Sequence, residues 1–150
     1  MPANLPANLP AETTAETTAE TTAAMTAETT ARLTRRLNSQ IEMSIEKADA
    51  RLTAFSVSLA KNPAYAFEMA QDAFRAAADK QVAIETKRLL ADGMALTQIF
   101  NIMQSEVAMR AGSPSFSTSA TTNIMHQMKT AAIAYIAERI SFLIFDLEAN

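Results

Sequence analysis

The fold of this chain is decided by residues 61–110, which read KNPAYAFEMAQDAFRAAADKQVAIETKRLLADGMALTQIFNIMQSEVAMR. Pro63 suits the first turn of a helix, because the amide hydrogen that proline lacks would have no helical partner there. The preceding residue, Asn62, is a favourable helix cap. The pair therefore predicts a helix that begins at Pro63.

Apolar residues follow this start on two faces. One set recurs at steps of three, four or their sums, and a second recurs every seven residues. Because a lone surface helix needs only one apolar face, two faces predict burial in a bundle or in an assembly. The first set is Phe67, Ala70, Phe74, Ala77, Ile84, Ala91, Ala95 and Ile102, and the second is Val82, Leu89, Leu96 and Met103.

The pair Asp92-Gly93 interrupts the helical pattern, since glycine in a helix interior costs about 1 kcal/mol relative to alanine. Two interpretations stay open. Either the helix stops near Ala91 and a new one starts at Met94, or the helix is continuous and Gly93 lets another backbone approach closely.

The composition predicts an all-α protein. Two Gly, nine Met and 49% hydrophobic residues in 150 residues are typical of one helical domain. With no Cys in the chain, there is no disulfide framework. No apolar run reaches the roughly 18 residues that span a membrane, and no export signal precedes the helices. We therefore expect a cytoplasmic protein.

The first 31 residues differ from the rest. Ala-Glu-Thr-Thr repeats through residues 11–30, with four Glu and no basic residue in residues 1–31. On a helix the Glu residues would stack with like charges one turn apart, and the β-branched Thr residues disfavour helix. We interpret residues 1–31 as a low-complexity disordered tail that serves as a spacer or solubilising arm.

Residues 32–150 are predicted to form a helical domain of long antiparallel helices, arranged as a hairpin or bundle. The last helix is the most apolar and needs protein partners. A loop is predicted at Gly112–Ser119, where helix breakers and hydroxyl residues cluster. The predicted helices span about 32–61, 63–91, 94–111 and 122–148. The stripe of the first is Leu33, Leu37, Ile41, Ile45, Ala48, Leu52, Phe55 and Leu59, and that of the last is Met125, Met128, Ala132, Ile136, Ile140, Leu143 and Leu147.

The sequence contains no pattern for catalysis, a cofactor or a metal. His126 is the only histidine and is interpreted as a partly buried structural residue. Because Asn123 stands three residues before it, the Glu-x-x-His pattern of di-iron bundles is absent. Two glycines cannot supply a phosphate-binding loop or a dinucleotide fingerprint. We therefore predict a protein that is not an enzyme and binds no cofactor.

The charges exclude one class of partner and indicate one group of titrating residues. Basic residues concentrate in residues 32–61, but the cluster Arg32, Arg35 and Arg36 lacks the aromatic residues that accompany basic residues in many nucleic-acid interfaces, so no nucleic acid is expected. Glu68, Asp72 and Asp79 lie one and two helical turns apart, and Arg75 can pair with only one of them at a time. These three carboxylates are candidates for pH sensing.

Helices with apolar residues on two faces, in a sequence without a catalytic pattern, predict a structural subunit. Such a subunit would assemble with copies of itself or with related helical subunits. The residues predicted to form the assembly interface are Phe67, Phe74, Val82, Leu89, Leu96, Met103, Ile136, Ile140, Leu143 and Ile144.

The stretch Val57–Gln71, with Asn62-Pro63-Ala64-Tyr65-Ala66 at its centre, resembles a helix start in the refractile-body (R-body) structural proteins of the bacterial killing-trait family. Gln81 and the stretch Gly93–Phe100 are similar to later parts of that pattern. The resemblance implies a cytoplasmic protein that polymerises into ribbons coiled as hollow cylinders, which in that family can extend on acidification.

A second stretch resembles the phasins, helical proteins that coat polyhydroxyalkanoate granules. It comprises Leu89-Leu90-Ala91, then Leu96, then Gln104-Ser105-Glu106 with Arg110. This resemblance implies adsorption of amphipathic helices to a membrane-like or granule surface. A third alternative for such a chain is a small helical adaptor.

Overall fold

The computed structural model describes residues 11–112 and 120–149, and all four elements found there are α-helices. The side chains of residues 11–19, Thr22, Phe67 and Thr121 lie outside the description. The helices are α1 (Ala11–Lys61), α2 (Pro63–Ala91), α3 (Leu96–Gly112) and α4 (Ala120–Glu148). The predicted all-α class is confirmed. The predicted loop lies outside the described residues, apart from Gly112, which ends α3.

A single non-helical residue, Asn62, joins α1 to α2. Its backbone is extended, with φ −148° and ψ 91°, and its side-chain oxygen accepts a hydrogen bond from the Tyr65 amide at 3.5 Å. Pro63 occupies the first turn, as predicted. Proline after the cap prevents α1 from continuing, so the chain reverses within one residue.

Two ion pairs show the register of this hairpin. Lys80 Nζ lies 2.6 Å from Asp49 Oδ1, and Lys87 Nζ lies 2.8 Å from Glu42 Oε1. A step of seven residues forward along α2 corresponds to seven residues back along α1, so the helices are antiparallel. The hydrogen bond from Lys87, with its charge, lowers the pKa of Glu42.

The open question at Asp92-Gly93 is resolved in favour of a break. Gly93 has φ +77°, its amide donates to the Leu90 carbonyl, and the Met94 amide donates to the Leu89 carbonyl, both at 3.1 Å. This is the Schellman arrangement, in which a left-handed residue ends the helix. The chain then turns and enters α3 at Leu96, where the Gln98 side chain accepts from the Ala95 amide at 3.1 Å.

The core lies at the end of the bundle where α3 packs. It joins residues of all four helices, and the fully enclosed side chains include Leu37, Ile99, Ile133 and Ile140, each no more than 2% exposed. Buried Thr86 is satisfied by donating to the Val82 carbonyl at 2.8 Å. Towards Asn62 the apolar stripe of α1 is less buried, and Leu59 is 49% exposed.

Burial along α1 changes near Leu33. Among the described side chains Leu33 is the first that is buried, and none of those in residues 20–31 is buried. The helix itself begins earlier than predicted, at Ala11 rather than near Arg32. Since none of the described side chains of residues 20–31 is buried, this part of the helix depends on local propensity, which Thr lowers. We expect it to fray in solution, as the prediction of a disordered tail implies.

Candidate functional site

A groove of about 630 Å³ lies between α1, α2 and α4. Its floor is apolar and its rim carries most of the polar groups. Residues 44–51 of α1 meet residues 127–136 of α4, whereas Leu37 and Gln40 of α1 meet Arg139 of α4, so these two helices are also antiparallel. The groove is lined by Ser44, Lys47, Ala48, Arg51, Gln71, Arg75, Asp79, Gln127, Met128, Ala131, Ala132, Tyr135 and Ile136.

The rim of the groove is basic although the chain is acidic. Lys47 and Arg51, four residues apart on α1, and Arg75 on α2 face a single acid, Asp79. The formal net charge of the chain is −3. Within the described part of the chain, none of these three basic side chains forms an ion pair. The three basic side chains outnumber Asp79, so the lining of the groove carries a net positive charge.

Asp79 is the one candidate pH sensor that the fold brings into this groove. Burial raises the pKa of Asp79, and the positive charges of Arg51 and Arg75 oppose that rise. Glu68 and Asp72 are exposed, and Asp72 lines a smaller cavity on the other side of Arg75. Arg75 thus stands between Asp72 and Asp79, as the sequence predicts.

We expect Asp79→Asn to flatten the pH dependence of stability. A carboxyl whose pKa is raised on folding favours the folded state below its unfolded pKa, near 3.8, and this contribution is lost as pH rises through the folded value. The free energy of unfolding of Asp79→Asn should therefore increase relative to wild type between pH 4 and pH 7. Urea unfolding at several pH values measures this.

Asp72→Asn is the matched control, because it removes an exposed carboxylate from the same helix. The difference in unfolding free energy between Asp72→Asn and wild type should change less with pH than the difference for Asp79→Asn. An equal effect of the two variants would mean that burial of Asp79 is not the cause.

A second cavity of about 180 Å³ continues the groove towards the start of α1 and shares Ser44, Lys47, Tyr135 and Ile136 with it. Arg139 stands at this end. Its guanidinium donates to the Tyr135 hydroxyl at 2.8 Å and lies 5.1 Å from the centre of the Tyr135 ring. From Arg51 to Leu37 the groove follows 14 residues of α1, or about 21 Å at 1.5 Å per residue.

Two aromatic side chains on α4 face outwards. Phe142 is 63% exposed and Phe145 is 69% exposed, and their spacing of three residues places them one turn apart on the same face. We call this pair the aromatic patch. Ile144 and Leu147 beside it pack partly against the core.

Most residues of the predicted assembly interface lie inside the chain's own core, which corrects that prediction. They are buried because the four helices cover each other. Leu89 and Ile144 are half-buried against the same core, and Phe74 is half-buried on α2. Phe67 lies outside the described side chains. The six corrected residues are Val82, Leu96, Met103, Ile136, Ile140 and Leu143, each at most 8% exposed.

His126 is half-buried, as predicted, and belongs to a polar cluster between α3 and α4. Arg110 pairs with Glu106, at 2.8 Å from Nη2 to Oε1, and its Nη1 lies 3.4 Å from His126 Nδ1. A cavity of about 530 Å³ lies beside this cluster and is lined by residues of α3 and α4, including Arg110, Asn123 and His126. No group of three metal-binding side chains occurs among the described residues.

None of the helices, over their described residues, has the length and apolar character needed to cross a membrane. Comparisons with protein-family models, with curated proteins and with solved structures give no match. The groove and the aromatic patch are therefore interpreted from their own geometry.

Proposed function

We propose that this protein is a non-enzymatic structural subunit that assembles with copies of itself into a cytoplasmic polymer. The observation that carries the proposal is the aromatic patch. Burying a Phe side chain stabilises by roughly 1.5–3 kcal/mol relative to leaving it in water. Two such side chains on one turn, beside a core that is already closed, favour a surface that another protein molecule covers.

The resemblance of Val57–Gln71 to R-body proteins supports the same class of function, since it implies subunits that polymerise into ribbons. The groove and the tail give the subunit further surfaces with opposite charge. A granule-coat or lipid-surface protein, which the phasin resemblance implies, would use the same aromatic patch against a different partner. Assembly and surface binding are separated by experiment.

The double variant Phe142→Ser/Phe145→Ser tests the proposal. Both side chains are exposed, so the unfolding free energy of the isolated subunit should change by less than about 1 kcal/mol. Wild type should show a mass that rises with concentration in light scattering, and the double variant should need at least about ten-fold higher concentration for the same mass, because a packed aromatic pair is lost.

The control is Met109→Ser, which removes an equally exposed apolar side chain, 65% exposed, from α3. It should assemble as wild type does. A wild-type protein that stays monomeric at all concentrations would contradict the proposal. Flotation of that monomer with anionic liposomes or polyester particles, lost in the double variant, would identify the surface-binding alternative instead.

A further inference from the structure

The groove between α1, α2 and α4 carries its strongest charge at one end. Its α1 residues run from Ser44 to Arg51, so Arg51 lies at the end nearest the turn at Asn62. Arg75 of α2 lines the groove as well, and the positive charges of Arg51 and Arg75 both act on Asp79. Two guanidinium groups therefore converge at this end of the groove.

Positive charge exceeds negative charge around these two arginines. Asp72 lines the smaller cavity on the other side of Arg75, which Arg51 also lines. With Asp79, two carboxylates thus lie near the two arginines. Lys47, four residues before Arg51 on α1, adds a third cation to the rim of the groove. Three bases against two acids leave a net positive charge, which favours an anion.

The floor of the groove is apolar and continues away from the charged end. Ala48, Met128 and Ala132 lie along it, each at most 9% exposed. The two alanines have short side chains, which leave space above them, and methionine is flexible. The adjoining cavity adds Leu37 and Ile41, each at most 2% exposed. The groove and this cavity together form an apolar channel of about 21 Å.

The concave shape of the groove favours a dissolved molecule over a membrane surface as its occupant. Its volume of about 630 Å³ falls in the range of small-molecule pockets, roughly 300–1,000 Å³. Floor residues such as Ala132 and Ile136 are at most 8% exposed, so a flat bilayer cannot cover them. A single alkyl chain is narrow enough to lie on them.

We propose that the groove binds a single-chain amphiphile with an anionic head group, of which a long-chain carboxylate is the simplest example. The head accepts hydrogen bonds from Arg51 and Arg75, because guanidinium groups match the geometry of carboxylates and phosphates. The alkyl chain lies over Ala48 and Ala132 and extends towards Leu37. This site goes beyond the proposed self-assembly and does not depend on it.

Isothermal titration calorimetry of the full-length protein with sodium dodecanoate tests the site, at neutral pH and below the critical micelle concentration. A buried methylene is worth roughly four-fold in affinity. Dodecanoate should therefore bind at least about four-fold more tightly than decanoate, whose chain is two methylenes shorter, even if the open groove buries each methylene only partly. Acetate, which has the head without the chain, should give no measurable binding.

Variants at the charged end should change the affinity in opposite directions. Arg51→Gln/Arg75→Gln should weaken dodecanoate binding at least about five-fold, because the head loses both of its cations. Asp79→Asn should strengthen binding about two-fold or more, because a charge that repels the head is removed. The control, Arg35→Gln/Arg36→Gln, removes two exposed cations of α1 outside the groove and should bind as wild type does. Circular dichroism verifies that each variant folds.

Phe142→Ser/Phe145→Ser should also bind dodecanoate as wild type does, which distinguishes the groove from the aromatic patch. No binding of dodecanoate, or equal binding by wild type and Arg51→Gln/Arg75→Gln, would overturn the proposal. Without dodecanoate binding, flotation of wild type with phosphatidylglycerol vesicles would identify a bilayer as the partner instead. Weaker assembly of the arginine variant would likewise identify a second copy. A monomeric wild type that binds dodecanoate would contradict the proposed function alone, and this site would stand.

Discussion

Replacing Ile140 by Ala should lower the free energy of unfolding by about 2–5 kcal/mol and the thermal midpoint by roughly 10 °C. Ile140 is fully buried, at 0% exposure, in the core shared by the four helices. The truncation removes apolar contacts and leaves a cavity that a close-packed bundle can only partly close. Chemical denaturation monitored by circular dichroism measures the loss.

Ile102→Ala is the matched control, since Ile102 is 45% exposed on α3. It should cost less than about 1 kcal/mol. The loss in Ile140→Ala should not depend on protein concentration, because the chain itself buries this side chain. A loss that disappears on dilution would restore the prediction that Ile140 belongs to an interface between copies.

The second large effect is expected from Ala76→Leu, which should destabilise the fold by about 1–3 kcal/mol. Ala76 is completely buried, and Ala66 and Ala78 on the same helix are also at 0% exposure. Such alanines permit a close approach of neighbouring helices, so a larger side chain must separate them.

The control for that variant is Ala108→Leu on α3, at an exposed position. Alanine and leucine have nearly equal helix propensity, so no loss is expected there. Thermal unfolding of both variants separates crowding from propensity. Equal stability of Ala76→Leu and wild type would mean that the packing around Ala76 is loose.

The helix boundaries that could be predicted are those fixed by local chemistry. Asn62 and Pro63 determine the start of α2, and α2 ends at Ala91, as one of the two interpretations of Asp92-Gly93 requires. The predicted start of α1 near Arg32 was wrong, because the helix begins at Ala11, in a repeat that carries no signal restricting the backbone. Local signals thus define an element best where a residue restricts the backbone.

What covers an apolar stripe could not be predicted. Val82 and Leu143 have the sequence spacing of buried residues, and both are buried. However, the spacing of an apolar stripe is the same whether another helix of the chain or a second copy covers it. The groove was missed for a related reason. Lys47 and Arg75 are distant in sequence, and only the relative rotation of α1 and α2 brings them to one rim.

The turn at Asn62 has a consequence for how fast the chain folds. With one residue between the helices, pairing of α1 with α2 can start beside the turn and proceed outward, so each new contact closes only a short additional loop. The pair Asp49 and Lys80 then forms before the pair Glu42 and Lys87, which is seven residues further from the turn on each helix. A topology with such local contacts folds on a time scale of microseconds to milliseconds.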